Sequence, residues 1–261
     1  MQRFAAAAER LVQYDFSLKT KVHKQDPWPR RLSKRLAGSR GPFYLRLAKM
    51  NPFHTAAVVK DPTAPLVAAY LQARHSIVPV IVVRHPVSLA ASLKRLGWHP
   101  TLRWFARQPA LVEDHFAEQD EQAFLERAWD DPIDAAAAHW RTVYRVLLRQ
   151  AQAQEGWHFV THEALSAEPV LTFQYLYEAL ELPWSSRVEH RIETLTTGDR
   201  AAARKGRVQD FHRDSAALFD FRRSQITLDE RRRIFDLTAD VALQFYDRDS
   251  FALEEQPIPS P

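Results

Sequence analysis

The chain has 261 residues, 46% hydrophobic and 26% charged, with 36 Lys and Arg against 32 Asp and Glu for a formal net charge of +4. That is the composition of a folded globular protein able to bury a core, and the absence of cysteine excludes disulfides, iron–sulfur clusters and thiol catalysis. The basic residues are dispersed, which argues against nucleic acid as a partner, and no apolar run is long enough to span a bilayer, so a cytoplasmic protein without a membrane partner is expected.

In chain order, residues 1–16 show helical apolar spacing through Phe4, Ala8, Leu11 and Val12. Residues 17–42 are basic and contain Pro27, Pro29 and Pro42, reading as an exposed connector. Val58-Val59-Lys60 ends a short strand, and Asp61-Pro62 opens a helix to about Arg74. Val78 to Val83 is a continuous β-branched run of the kind found in a parallel strand covered on both faces. Pro86 to Leu96 is the next helix, with Gly97 as its stop. Residues 99–130 are rich in aromatics, which either line a ligand pocket or pack an inserted helical region. Asp131-Pro132 opens a long helix to about Gln154, and Trp157 to Thr161 is a third strand. Helices follow near 168–181 and 185–195, then a polar, basic loop over 197–215. Thr227 to Glu230 is a capping box for a last helix through about Tyr246.

Strands alternating with helices give an α/β fold with a parallel sheet. The expected organisation is an N-terminal helix and basic connector over 1–50, an α/β domain over 51–253 and a tail over 254–261. Ligands of such sheets bind beyond the carboxyl ends of the strands. Lys60, Arg84 and His162 all fall there. A guanidinium fork beside a helix N-terminus suits a phosphate. Arg84 supplies the fork, the helix from Pro86 supplies the terminus, and Ser88 and Ser92 lie four apart on one helix face. From these residues alone, Arg84 is equally well a surface cation ending a strand.

The segment VIVVRHPVSLAASLKRLGW resembles the 3′-phosphate-binding strand and helix of sulfotransferases that use 3′-phosphoadenosine 5′-phosphosulfate (PAPS). In that family an arginine after the strand and a serine eight positions later grip the 3′-phosphate, and Arg84 and Ser92 have this spacing. Lys60, in a KDP context, matches the family lysine that contacts the bridging oxygen of the leaving group. WHFVTHEALSAEP is similar to the family strand followed by Y-E-D-L, with His162 at the tyrosine and Ala164 at the aspartate position. Two C-terminal alignments compete: in one, Arg204-Lys205-Gly206 resembles the loop that closes over the 3′-phosphate, and in the other, RDSAALFDFRRSQITLDE resembles the bacterial R-D-S-K pattern and offers Arg213. The resemblance implies a P-loop-NTPase-like sheet flanked by helices. It also implies PAPS as sulfuryl donor, leaving as PAP, no metal, and a small-molecule or glycan acceptor.

Nothing in residues 1–50 matches the family's P-K-S-G-T-T loop for the 5′-phosphosulfate. The N-terminal strand and loop are therefore expected to be missing from the sheet, either encoded upstream of Met1 or lost from a degenerate copy. The alternative function is a non-catalytic protein retaining the 3′-phosphate half of the donor site. No G-x-x-x-x-G-K-[ST] is present, which disfavours a P-loop kinase. The general base is not identified; His99, His115 and His139 are candidates.

Overall fold

The computed structural model describes residues 2–13, 15–16, 18–23, 26–53, 58–60, 65–196 and 225–254. It divides into two compact units, Met1–Ile77 and Val78–Pro261.

The first unit contains α1 (Gln2–Val12), α2 (Trp28–Ala37), α3 (Arg40–Met50) and a 3₁₀ turn (Pro65–Val67) leading into α4 (Ala68–His75). The connector expected over 17–42 is therefore helical from Trp28. Its prolines occupy places that a helix tolerates. Pro27 is the N-cap of α2, Pro29 lies in its first turn, and Pro42 is third in α3. First-turn N–H groups have no intrahelical acceptor, so proline forfeits nothing there. A second correction concerns the strand ending at Lys60. Residues 58–60 have no regular structure, and Val58 is 88% exposed. β-Branched residues form strands when pairing and burial reward them, and among the described residues this segment has no sheet partner. The Asp61-Pro62 cap lies outside the described residues.

The second unit is built on two parallel strands, β1 (Val80–Val83) and β2 (His158–Thr161), paired from Val80 opposite His158 to Val83 opposite Thr161. Helices dominate the rest. The crossover holds α5 (Pro86–Leu96), α6 (Arg103–Ala106), α7 (Pro109–His115), α8 (Gln119–Glu126) and α9 (Pro132–Ala153). After β2 come α10 (His162–Ala167), α11 (Pro169–Ala179), α12 (Ser186–Thr196) and α13 (Leu228–Ala242). The expectation of a strand covered on both faces does not hold: Val83 is fully buried but Val82 is 47% exposed. This is the alternation of a strand packed on one side. The β1–β2 pairing is direct, so no strand lies between them.

The core is closed by α5, α9 and α13. Val83, Val87, Ala90, Ala91, Ala136, Ala137, Trp140, Ile234 and Phe251 belong to one buried cluster. Alanines on both α5 and α9 let the two helices approach closely, and Trp140 fills the remaining volume. Each of these helices has the terminus that its sequence signals. Gly97 ends α5 in the left-handed region (φ 64°), where a side chain would add strain. Asp131 caps α9 by accepting from the N–H groups of Ile133 (2.8 Å) and Asp134 (3.1 Å). Thr227 and Glu230 form the expected capping box at the start of α13.

Phe116 and Trp129 of the aromatic stretch 99–130 pack a helical subregion, whereas Trp104 is exposed. Phe116 is buried with Leu102 and Leu125, and Phe124 meets Trp129 edge-on at 4.9 Å. The Trp129 indole N–H donates to the Phe124 carbonyl (3.2 Å). Helix α10 was not foreseen. Thr161 ends β2 and also caps α10, its hydroxyl accepting from the Ala164 N–H (3.1 Å).

Candidate functional site

Parallel pairing brings the carboxyl ends of β1 and β2 to one edge. Arg84 and His85 follow β1, and His162 and Glu163 follow β2. The Arg84 backbone is pinned from α9, where the Trp140 indole N–H donates to its carbonyl (2.7 Å). One turn further along α9, the Tyr144 hydroxyl donates to the Val82 carbonyl (3.2 Å). With its main chain held, Arg84 runs its side chain back along α5. Its Nη2 donates to Ser92 Oγ at 2.8 Å. The two residues singled out by spacing therefore meet directly, two turns into the helix. Ser88, one turn nearer the N-terminus, is buried.

His85 is fully buried and caps α5. Its Nδ1 accepts from the Val87 N–H (3.2 Å), so the proton sits on Nε2, which donates to Ser250 Oγ (3.1 Å). That hydroxyl in turn donates to the Asp247 carbonyl (2.6 Å). With both ring nitrogens committed, His85 is a structural group and not a proton acceptor.

Glu163 completes the edge. Its carboxylate accepts from the His85 N–H (3.2 and 3.3 Å to its two oxygens) and from the Tyr246 hydroxyl (2.8 Å). A carboxylate at a helix N-terminus is favourable, because the first N–H groups lack helical acceptors and carry partial positive charge. The Tyr246 hydroxyl also reaches the Val83 carbonyl (3.3 Å). Burial and the Glu163 charge hold the Tyr246 phenol well above the ordinary range. Burial likewise raises the Tyr144 phenol. Both tyrosines remain protonated donors at neutral pH. The edge thus presents a guanidinium bridged to a hydroxyl, beside a carboxylate that already occupies the first N–H of the helix entry.

The structure brings Arg84 and Ser92 into contact, while sequence reasoning did not single out Glu163, Tyr246, His85 or Ser250. Glu163 was within reach: it is the acidic residue left unchanged when THEAL is set against Y-E-D-L. Tyr246 and Ser250 come from the chain's other end and carry no local signal. Lys60 belongs to the first unit, where it is exposed. Arg204, Lys205, Gly206 and Arg213 lie outside the described residues. Of the histidines considered as bases, His99 Nε2 donates to the Trp129 carbonyl (2.7 Å), and burial depresses the pKa of both His115 and His139. Among the described residues no three His, Asp or Glu side chains converge on a metal position, and no described helix is long and apolar enough to cross a membrane.

Compared with protein-family models, with curated proteins and with solved structures, the chain matches none.

Proposed function

We propose that this chain binds the 3′-phosphate of PAPS at Arg84 and Ser92 and transfers the sulfuryl group to a hydroxyl or amine of a small-molecule or glycan acceptor. In this reading the helices and parallel strands belong to a P-loop-NTPase-like fold. The supporting observation is the 2.8 Å contact between Arg84 Nη2 and Ser92 Oγ. It sets a bidentate cation and a hydroxyl at one point, as recognition of a phosphate requires.

When bound, the donor supplies an activated sulfur, to which the acceptor oxygen or nitrogen would bond in line as the bond to the bridging oxygen breaks, PAP keeping the electron pair and the acceptor's proton passing to solvent. Arg84 and Ser92 hold the donor by its non-reacting end, and their contribution is positioning. Lys60 is the group that the resemblance assigns to the departing oxygen, where an ammonium stabilises developing charge. By resemblance either Arg204, Lys205 and Gly206 or, in the competing alignment, Arg213 adds a donor to the same phosphate. The reaction needs no metal, and the proposed setting is the cytoplasm.

The test is thermal unfolding with PAP. At a hundredfold excess over its dissociation constant a ligand adds about 2.7 kcal/mol, or roughly 5–10 °C for a domain of this size. Arg84→Ala abolishes the shift, and Arg84→Lys keeps the charge but loses the fork and most of the shift. Unchanged melting of the wild-type chain at saturating PAP refutes the reading.

A second reading is favoured by one observation. The family's 5′-loop strand lies inside the sheet, between strands of the kind found here, yet β1 and β2 are bonded directly to each other. A protein keeping only the 3′-phosphate half of the site fits that pairing. Label transfer from sulfur-labelled PAPS to a panel of alcohols and amines separates the two: turnover selects the enzyme, and PAP binding without turnover selects the half-site.

A further inference from the structure

Counted by segment, the charge of this chain is unevenly placed, which corrects the expectation that its basic residues are dispersed. Between Leu18 and Phe53 the sequence holds ten Lys or Arg and one acidic residue, Asp26, a net +9, whereas the whole chain carries +4, so the remainder carries −5. Such asymmetry points to an anionic partner for the basic stretch.

The helices of that stretch also turn apolar side chains outward. On α2, Trp28, Leu32 and Leu36 follow one another at four-residue spacing and so share a face. Trp28 is 74% and Leu36 is 76% exposed, and no residue of α2 is buried. Asp26 pairs with Lys34 (2.6 Å) and Arg30 (3.7 Å) on the opposite side of the helix, so it places no negative charge on the apolar face. Arg35 flanks that face. On α3, Phe43, Leu47 and Met50 form a second exposed stripe, with Arg46 beside it. The Lys49 amine is directed elsewhere, to the Phe16 carbonyl (2.9 Å).

We infer that α2 and α3 adsorb onto an anionic lipid surface, their apolar stripes entering the headgroup boundary while the flanking arginines engage lipid phosphates. Large aromatic and aliphatic side chains on one face with arginines at its margin are the signature of helices that lie in a membrane interface. Adsorption of this kind needs no spanning helix. It departs from the sequence expectation of no membrane partner, which rested on the lack of a spanning segment. A nucleic acid would satisfy the cations but leave two apolar stripes in water; a lipid boundary takes up both. The inference is independent of the sulfotransferase reading, and either stands if the other fails.

The experiment is co-sedimentation of the full chain with vesicles of phosphatidylcholine alone and of phosphatidylcholine with phosphatidylserine. Binding is expected to the second and not the first, and it weakens as salt rises from about 0.1 to about 0.5 M. Each basic residue near an anionic leaflet contributes about fivefold in partition, so the double variant Arg35→Gln, Arg46→Gln lowers binding about 25-fold. The variant Trp28→Ser, Leu36→Ser, at exposed positions where folding is indifferent, lowers it by at least about tenfold. Circular dichroism confirms that both variants remain folded. Several results overturn the inference: no binding of the folded chain to phosphatidylserine vesicles, equal binding to both vesicles, or binding unchanged in either variant. Capture of a duplex oligonucleotide or self-association, with vesicle binding absent, overturns it equally.

Discussion

Replacing Glu163 by alanine should be among the most damaging single changes at the sheet edge, and its cost follows from the donors it would strand. Two donors depend on the carboxylate: the backbone N–H of fully buried His85, shared between the two oxygens, and the Tyr246 hydroxyl at 2.8 Å. Hydrogen bonds to a charged acceptor contribute about 1.5–3 kcal/mol each, which sets a ceiling of roughly 3–6 kcal/mol. The Tyr246 hydroxyl has a fallback in the Val83 carbonyl at 3.3 Å, and Glu163 is itself only half-buried. The expected loss for Glu163→Ala is therefore about 3 kcal/mol, or roughly 6–12 °C in melting temperature. Glu163→Gln keeps one acceptor oxygen and should cost about 1–2 kcal/mol. Urea unfolding followed by tryptophan fluorescence measures both. Tyr246→Phe closes a double-mutant cycle, with an expected coupling of about 1–2 kcal/mol to Glu163→Ala. An alanine cost below about 0.5 kcal/mol, or a coupling near zero, would refute the assignment of this carboxylate as the tie between β2, α5 and the C-terminal segment.

The remaining expectations concern pH and helix termini. His139 packs against Phe105 (ring centroids 5.5 Å apart), and burial holds its pKa below the ordinary 6.5. The unfolded chain then takes up the proton first, so stability is full above 6.5 and falls as pH descends from there toward the folded value. His139→Leu should flatten the urea midpoint between about pH 7.5 and pH 5.5, and a slope unchanged by the substitution would remove His139 as its source. Thr227→Ala breaks the capping box of α13 and should cost about 1 kcal/mol. In the same box burial raises the Glu230 carboxyl, but bonds from the Lys94 ammonium (2.7 Å) and the Thr227 N–H (2.8 Å) bring it below the ordinary 4.5. Its contribution is present above that value and lost as pH falls through the folded one, so Glu230→Gln should destabilise at neutral pH and matter little in strong acid.

Much of the second unit was legible because its signals are local. Pro86 opens α5 and Gly97 closes it, as read from the sequence, because the first needs no donor and the second needs a positive φ. Asp131 before Pro132, and Thr227 three residues before Glu230, are likewise terminus signals with a single structural meaning. The same residue types misled in the first unit. A proline reads as punctuation, and only the chain around it decides whether it breaks a helix or begins one. Strand number was misjudged for a related reason. Val58 and Val59 have the same side-chain chemistry as Val82 and Val83, but only the latter found a partner in β2.

The candidate site divides along the same line. Arg84 and Ser92 are eight residues apart, the pairing that the family resemblance implies, and the long Arg84 side chain spans the two intervening turns of α5 to close the contact. Glu163 and Ser250 reach His85, and Tyr246 reaches Glu163, across intervals of 78 or more residues, and no periodicity carries such information. The Arg84 Nη2 already donates to the Ser92 hydroxyl, so in the proposed reading a phosphate would exchange that neutral-acceptor bond for charge-assisted bonds to both groups. The His85 N–H is committed to Glu163 and is not exchangeable without leaving that carboxylate against a second negative charge. An anion at this edge should therefore sit on the guanidinium side of α5, two turns from the helix mouth. Arg84, not the helix N-terminus, would carry most of its affinity.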